Sequence, residues 1–450
     1  MTQDGASSRR LDRRANATLA LKLVAAATTY GFMLMLTRAM TLDGFGAVAV
    51  FLNCALFMSI VGARGQQLAI LRFLPPLAAS QDFPGIRRFV LDAARRATVM
   101  TLVLTGLIAA LANWLPTSAA NPALAGSLLV PGLLLIPLVA WLDFQSHLAR
   151  GFHLINIAVV PRDILWRAGV AMVVYWHFTT NDRSPVSPEF VLYALLAGLV
   201  VLAIAQAFAI VRSVGLANLA GVGPSRADTS WRTSETAFWV SSVSNVFLAN
   251  VGVIAVGLLS GPASAALYFA ANRLALMMDL VLTSTYMVLG PMLSQAWFSG
   301  DPHRAEKLLH RATLRTALPA AILAFALIAG APLLLRLFGD SYSQAGNTLR
   351  LLAIAGLINA ALGPAAIALN MCGEHRAAMR ASLLALTSST AFLFIGVALG
   401  GPEGAALGVV FATIVRKALY WEACRTRLGL RTDLISALRR QAGTTVARPS

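Results

Sequence analysis

Apolar residues run along this chain in blocks of about twenty, the length of helix that crosses a hydrocarbon layer. Short polar stretches rich in arginine separate the blocks. The first half offers 17–38, 46–64, 97–115, 125–146, 157–178 and 190–212. The second half offers 234–260, 265–290, 314–335, 347–371, 381–400 and 404–422. The fifth block is the weakest, because Arg162, Asp163 and Arg167 stand in its first turns. The pattern predicts an all-α polytopic membrane protein with about twelve transmembrane helices.

An even number of spans puts both termini on one side. The basic residues say which side. Arg38, Arg183, Arg336 and Arg350 belong to or flank one set of loops, and Lys22 and Arg273 fall inside spans. The other 30 of the 36 Lys and Arg residues lie in the opposite set of loops or at the helix ends bordering it. Cytoplasmic loops collect Lys and Arg, so both termini of a multi-pass protein are expected in the cytoplasm. Arg9-Arg10 and Arg13-Arg14 fit this anchoring role better than an export signal, because the apolar run after them is long and many more follow. The basic and apolar residues of 84–96 and of Pro302–Arg315 recur at helical spacing. Both segments read as short amphipathic helices lying in the headgroup layer.

Composition narrows the class. Apolar residues make up 58% and charged residues 12%, with a mean hydropathy of +0.71. A soluble protein is about 25% charged. A soluble enzyme, a disordered chain and a nucleic-acid binder are therefore excluded, although the net charge is +17. Cys54, Cys372 and Cys424 are far apart, lack metal-ligand spacing and read as free packing thiols. The chain carries no GxxxxGK[ST], GxSxG or HExxH, so no cofactor, metal or catalytic activity is expected.

The two six-span halves echo each other. Gly151-Phe152-His153 follows span four and Gly373-Glu374-His375 follows span ten; Phe45-Gly46-Ala47-Val48 opens span two and Ala265-Ala266-Leu267-Tyr268 opens span eight. Parallel repeats of this kind imply two six-helix lobes around a central cavity. The lobes are expected at 1–214 and 234–424, with a cytoplasmic linker at 215–233 and a tail at 425–450. Thr18, Lys22, Ala25, Ala26 and Thr29 share one stripe of span one; Ser234, Ser241, Asn245, Ala249 and Gly252 share one of span seven. Such stripes are either walls of a hydrated cavity or faces where helices pack closely. Span eight carries Asn272, Asp279, Thr283 and Tyr286 on one face, with Arg273 beside it. A carboxylate at that depth must find a cation or a proton. Asp279 is thus a candidate for ion coupling or half of a structural pair.

The residues 36–49, Leu36-Thr37-Arg38-Ala39-Met40-Thr41-Leu42-Asp43-Gly44-Phe45-Gly46-Ala47-Val48-Ala49, resemble the "LARxLGPxxyGxya" signature of polysaccharide flippases. These belong to the multidrug/oligosaccharidyl-lipid/polysaccharide exporter superfamily. Gly62-Ala63-Arg64-Gly65-Gln66-Gln67-Leu68-Ala69-Ile70-Leu71-Arg72-Phe73-Leu74-Pro75 is similar to the family's "D-x-G-x-x-x-x-x-x-R-f-l-p", and Leu337-Phe338-Gly339-Asp340-Ser341-Tyr342-Ser343-Gln344-Ala345 to its "lfGxxYxxA". The resemblance implies a cationic cavity and the flipping of an undecaprenyl-diphosphate-linked oligosaccharide to the outer leaflet for surface polysaccharide such as O-antigen. Its partners would be that lipid-linked oligosaccharide, the membrane lipids and the polymerase machinery. Arg38, Arg64 and Arg72 match basic positions of the motifs, and Lys22, Asn245 and Arg273 complete the candidate substrate-binding set. Arginine suits a diphosphate because its planar fork bonds two oxygens at once. Ala63 and Ala263 stand where the family has acidic residues, which leaves the coupling ion open. The competing reading is a cation-coupled multidrug antiporter of the same superfamily, which would need acidic rather than basic residues around its cavity.

Overall fold

The computed structural model describes residues 21, 24–114, 126–215 and 231–439. Among them the chain is helical, with no strand. Among the described residues seven helices are long and apolar enough to cross a membrane, or up to nine if each of two bent pairs counts as one span. The distance from the expected twelve has local causes. Span one begins outside the described residues. Span five is interrupted by a π-helical turn at Val160–Leu165. Spans eleven and twelve form one continuous element, His375–Leu428, broken by non-helical backbone at Gly400 and Gly401 just before Pro402.

The chain divides into two compact units, Met1–Val243 and Ser244–Ser450. The first holds α1 (Leu42–Gly62), α2 (Gln66–Ala79), α3 (Phe83–Trp114), α4 (Leu129–Gly151), α5 (Trp166–Thr180) and α6 (Pro188–Val214). Helix starts follow ordinary capping chemistry. Thr41 accepts the Gly44 N–H at the head of α1, and Ser187 accepts that of Phe190 before Pro188 opens α6. The wide face of α3 that carries Val99, Leu102, Val103, Leu107 and Leu111 is exposed. So is the α6 face with Val201, Ile204 and Phe208. Apolar stripes of this size are a liability in water and are what lipid chains require.

The second unit receives the C-terminal part of α7 (Trp231–Ser260). It continues through α8 (Pro262–Ala275), α9 (Met277–Phe298), α10 (Pro302–Ala329), α11 (Gly346–Ala361), α12 (Ala365–Met371) and α13 (His375–Leu428). Its packing relies on small residues. A Cβ at Gly404 would lie 1.9 Å from the Gly396 oxygen, so the two arms of α13 approach at backbone distance. A Cβ at Gly252 would lie 2.5 Å from the Tyr268 hydroxyl oxygen. That part of the span-seven stripe is therefore a packing face.

The two expected headgroup helices are instead the first turns of spans. Residues 84–96 run on into α3, and Pro302–Arg315 into α10. Ile86, Phe89 and Ala93 are buried against α2 and α4 residues, and Ala305 and Leu309 are buried in the core of the second unit. An apolar stripe reads the same in sequence whether protein or lipid covers it.

Candidate functional site

Each unit carries a polar cluster at the depth of its spans. In the first, α4 presents Asp143, buried at 4% exposure. Gln67 from the head of α2 donates its side-chain N–H to Asp143 Oδ2 at 2.6 Å. Arg162 Nη2 meets Asp143 Oδ1 at 2.5 Å, and His147 Nδ1 stands 3.6 Å from Oδ2. Arg162 reaches in from the π-helical turn, where Pro161 supplies no N–H and the regular hydrogen-bond ladder widens. Gln206 ties α6 to the same place by donating to Ile157 O and to Ser146 Oγ.

A second ionic group of the first unit involves two arginines. Glu235 pairs with Arg64 (3.4 Å) and with Arg96, which also pairs with Asp92. Trp239 donates its indole N–H to Val61 O at 2.9 Å. The turn that makes room is Arg64-Gly65, both with positive φ. A Cβ at Gly65 would sit 2.7 Å from Glu235 O and from Trp239 N, so only glycine fits.

In the second unit the polar groups surround open space. A cavity of about 190 Å³ is lined by Asp279, Asn359, Arg416, Lys417, Ser382 and Ser389, among others. A neighbouring cavity of about 110 Å³ shares Asp279, Asn359 and Arg416 with it and adds Asn272 and Thr413. Asp279 is exposed, and Asn359 donates to its Oδ1 at 3.4 Å. Among the described residues neither Arg416 nor Lys417 forms an ion pair with Asp279.

The two cations differ in what they hold. Span ten breaks at Leu362-Gly363-Pro364, where the chain bends by 43° and Gly363 takes φ +69°. That break strands carbonyls at the end of α11. Lys417, buried, donates to Gly363 O at 2.9 Å, and Thr432 Oγ1 donates to Leu362 O at 3.0 Å. Lys417 is thus occupied as a cap. The Arg416 Nε is buried with no hydrogen-bond partner among the described residues. A guanidinium so placed can accept an anionic group entering the cavity.

The expected site residues scatter. Arg64 is bound to Glu235, and Arg72, exposed, lies 5.3 Å from the Phe73 ring and 5.9 Å from that of Phe238. Arg38 is exposed at the end of the first described helix. Arg273 stacks over Phe269 at 4.8 Å and lines neither cavity. Asp279 alone of the set lines both. Lys22 and the side chain of Asn245 lie outside the described residues. Sequence reasoning missed Arg416 and Lys417 by assigning them to a helix end. The helix continues to Leu428, and Cys424, seven residues past Lys417, is fully buried. It also missed Asp143, whose signal is the i, i+4 pair Asp143–His147 inside an apolar run. No group of His, Cys, Asp and Glu able to hold a metal occurs among the described residues.

The family model described as "Polysaccharide biosynthesis protein" matches residues 14–297, more than half of the chain, and the MatE model matches residues 238–395. No curated protein matches. Among solved structures, an inward-facing multidrug resistance MATE family transporter of the MOP superfamily is similar with a TM-score of 0.67 at 16% identity, over 92% of this chain and 95% of that one. The lipid II flippase MurJ in an inward closed conformation gives a TM-score of 0.64 at 10% identity, over 96% and 93%. A MATE in the bent conformation gives 0.59 at 13% identity, over 94% and 95%. At these identities the likeness concerns the fold.

Proposed function

Since the chain belongs to the polysaccharide biosynthesis protein family, we propose that it flips a lipid-linked oligosaccharide, carried on undecaprenyl diphosphate, from the inner to the outer leaflet of the bacterial cytoplasmic membrane. It does so by alternating access, with both termini in the cytoplasm. The observation that carries this reading is the cavity of the second unit, where two cations, Arg416 and Lys417, face a single carboxylate, Asp279. A charge at membrane depth is costly enough to mark a substrate or ion path. Arg416 is the group we assign to the substrate's diphosphate, and Asp279 to the coupling ion. Lys22, Arg38, Arg64, Arg72, Asn245 and Arg273 remain in the proposed binding set, with Arg64 serving only when released from Glu235.

The second reading, a cation-coupled drug antiporter, is favoured by the MatE match across residues 238–395 and by Asp279 itself. One experiment separates the two. A deletion strain is complemented with the wild type or with Asp279→Asn, and lipid-linked saccharides, surface glycan and dye retention are measured. Diphosphate-linked oligosaccharide should accumulate in the deletion strain and clear with the wild type but not with Asp279→Asn. Unchanged glycan together with raised retention of cationic dyes would replace the flippase by the antiporter.

A further inference from the structure

Between the outer ends of the two arms of α13 runs a groove of about 450 Å³, apart from both cavities. Its lining is graded. Arg376 and Arg427 stand at one end, Arg380 and Glu422 come next, and Leu384 and Leu419 close the other end. The grading follows from the hairpin, since the arms run antiparallel from the break at Gly400 and Gly401 and bring those pairs to matched levels. The charged end belongs to the ends of the arms, where further arginines (Arg425, Arg431) collect. Towards the break the outer face of both arms is apolar and exposed: Leu384 at 58%, Ile395 at 57% and Phe411 at 53%. The groove therefore opens sideways to lipid, with a polar mouth and an apolar floor.

Among the described residues none of the three arginines forms an ion pair with Glu374 or Glu422, the two carboxylates that line the same groove. Three cations against two carboxylates leave one net positive charge. Arginine-lined pockets between spanning helices at the positively charged membrane face hold anionic headgroups. We infer that this groove is a binding site for an anionic phospholipid with one phosphodiester charge, its headgroup on Arg376, Arg380 and Arg427 and an acyl chain along Leu384 and Leu419. The site is independent of the proposed transport reaction. Only the assignment of the lipid to the cytoplasmic leaflet rests on the topology given above.

The test is native mass spectrometry of the full-length protein, delipidated in detergent and titrated with phosphatidylglycerol or phosphatidylcholine. The wild type should retain phosphatidylglycerol preferentially, and each arginine changed to alanine should weaken it about fivefold. The Arg376→Ala/Arg380→Ala/Arg427→Ala protein should hold the two lipids equally. Glu422→Gln, which raises the groove's charge without removing a contact, should strengthen phosphatidylglycerol binding and keeps the test open should the triple variant not fold. Undiminished preference in the triple variant, or no gain in Glu422→Gln, would overturn the site. Equal retention of phosphatidylethanolamine would overturn the anionic assignment. Displacement by inorganic phosphate alone would reduce it to a simple anion site.

Discussion

In the first unit Asp143 touches Arg162, Gln67 and His147. In the second, Asp279 faces about 190 Å³ of space, with Arg416 and Lys417 lining the same space and no ion pair among the described residues. Both clusters sit in helices whose other faces are apolar, so both carry a desolvation cost. The first offsets that cost internally, through the ion pairs of Asp143 with Arg162 and His147. The second leaves the Arg416 Nε without a hydrogen-bond partner among the described residues, and the proposed function gives that contact to the substrate. Buried ions that neutralise one another join helices; ions held apart around a cavity are available for chemistry.

The comparison breaks most visibly at Arg162. Arg162→Ala leaves the Asp143 carboxylate buried without its ion-pair arginine, held by Gln67 and His147 with Arg150 nearby. Removing one member of a buried pair costs about 3–5 kcal/mol. The variant should lose most of its folded yield, read by fluorescence size exclusion and by thermal unfolding in detergent. Adding Asp143→Asn removes the stranded charge and should restore most of the stability. If the single variant melts like the wild type, Asp143 is not the closed structural pair described here.

Much of this layout is legible in the sequence, and some is not. The apolar blocks, the side-to-side asymmetry of arginine and the carboxylate at Asp279 can be read from spacing and cost alone. The partner of a buried charge cannot. Asp143 and Gln67 are 76 residues apart, and only folding brings them together. The break at Gly363-Pro364 is visible as two residues, but that Lys417 caps it depends on α13 packing beside α12. Arg416 and Lys417 read as a helix end because adjacent basic residues usually mark one.

Within the second unit, Arg416 and Lys417 sharpen the comparison, since neighbouring cations have different duties. Lys417→Met strands the Gly363 carbonyl and should cost about 1–3 kcal/mol of stability. Arg416→Gln removes no hydrogen bond of the Nε and should cost clearly less stability than Lys417→Met. The same variant should fail to restore surface glycan in the deletion strain. Thermal melts and complementation, run in parallel, decide it. A destabilised Arg416→Gln, or one that complements fully, would make this arginine structural like its neighbour.

The smallest expected effect lies beneath that cavity, where the chain after α13 folds back. Thr432 O accepts from Thr313 Oγ1, and Asp433 Oδ2 accepts from the Trp421 indole N–H at 3.0 Å. Partial burial pushes the Asp433 carboxyl up, but the Ser436 N–H, the Trp421 indole and the Ser436 hydroxyl outweigh it and hold the group below the ordinary carboxylate range. A lowered folded pKa stabilises the folded form fully above the unfolded value of about 3.9, and the contribution is lost as pH falls through the lower folded value. Acidification through that window should loosen residues 432–439 before the helices melt, seen as faster amide exchange there and a change in tryptophan emission. Asp433→Asn, which keeps an acceptor oxygen but cannot titrate, should abolish the pH step while leaving the Asp143 cluster of the first unit untouched. A pH step that survives in Asp433→Asn belongs to another carboxylate, and the return of the chain under Gly363 would then be held by Thr432 alone.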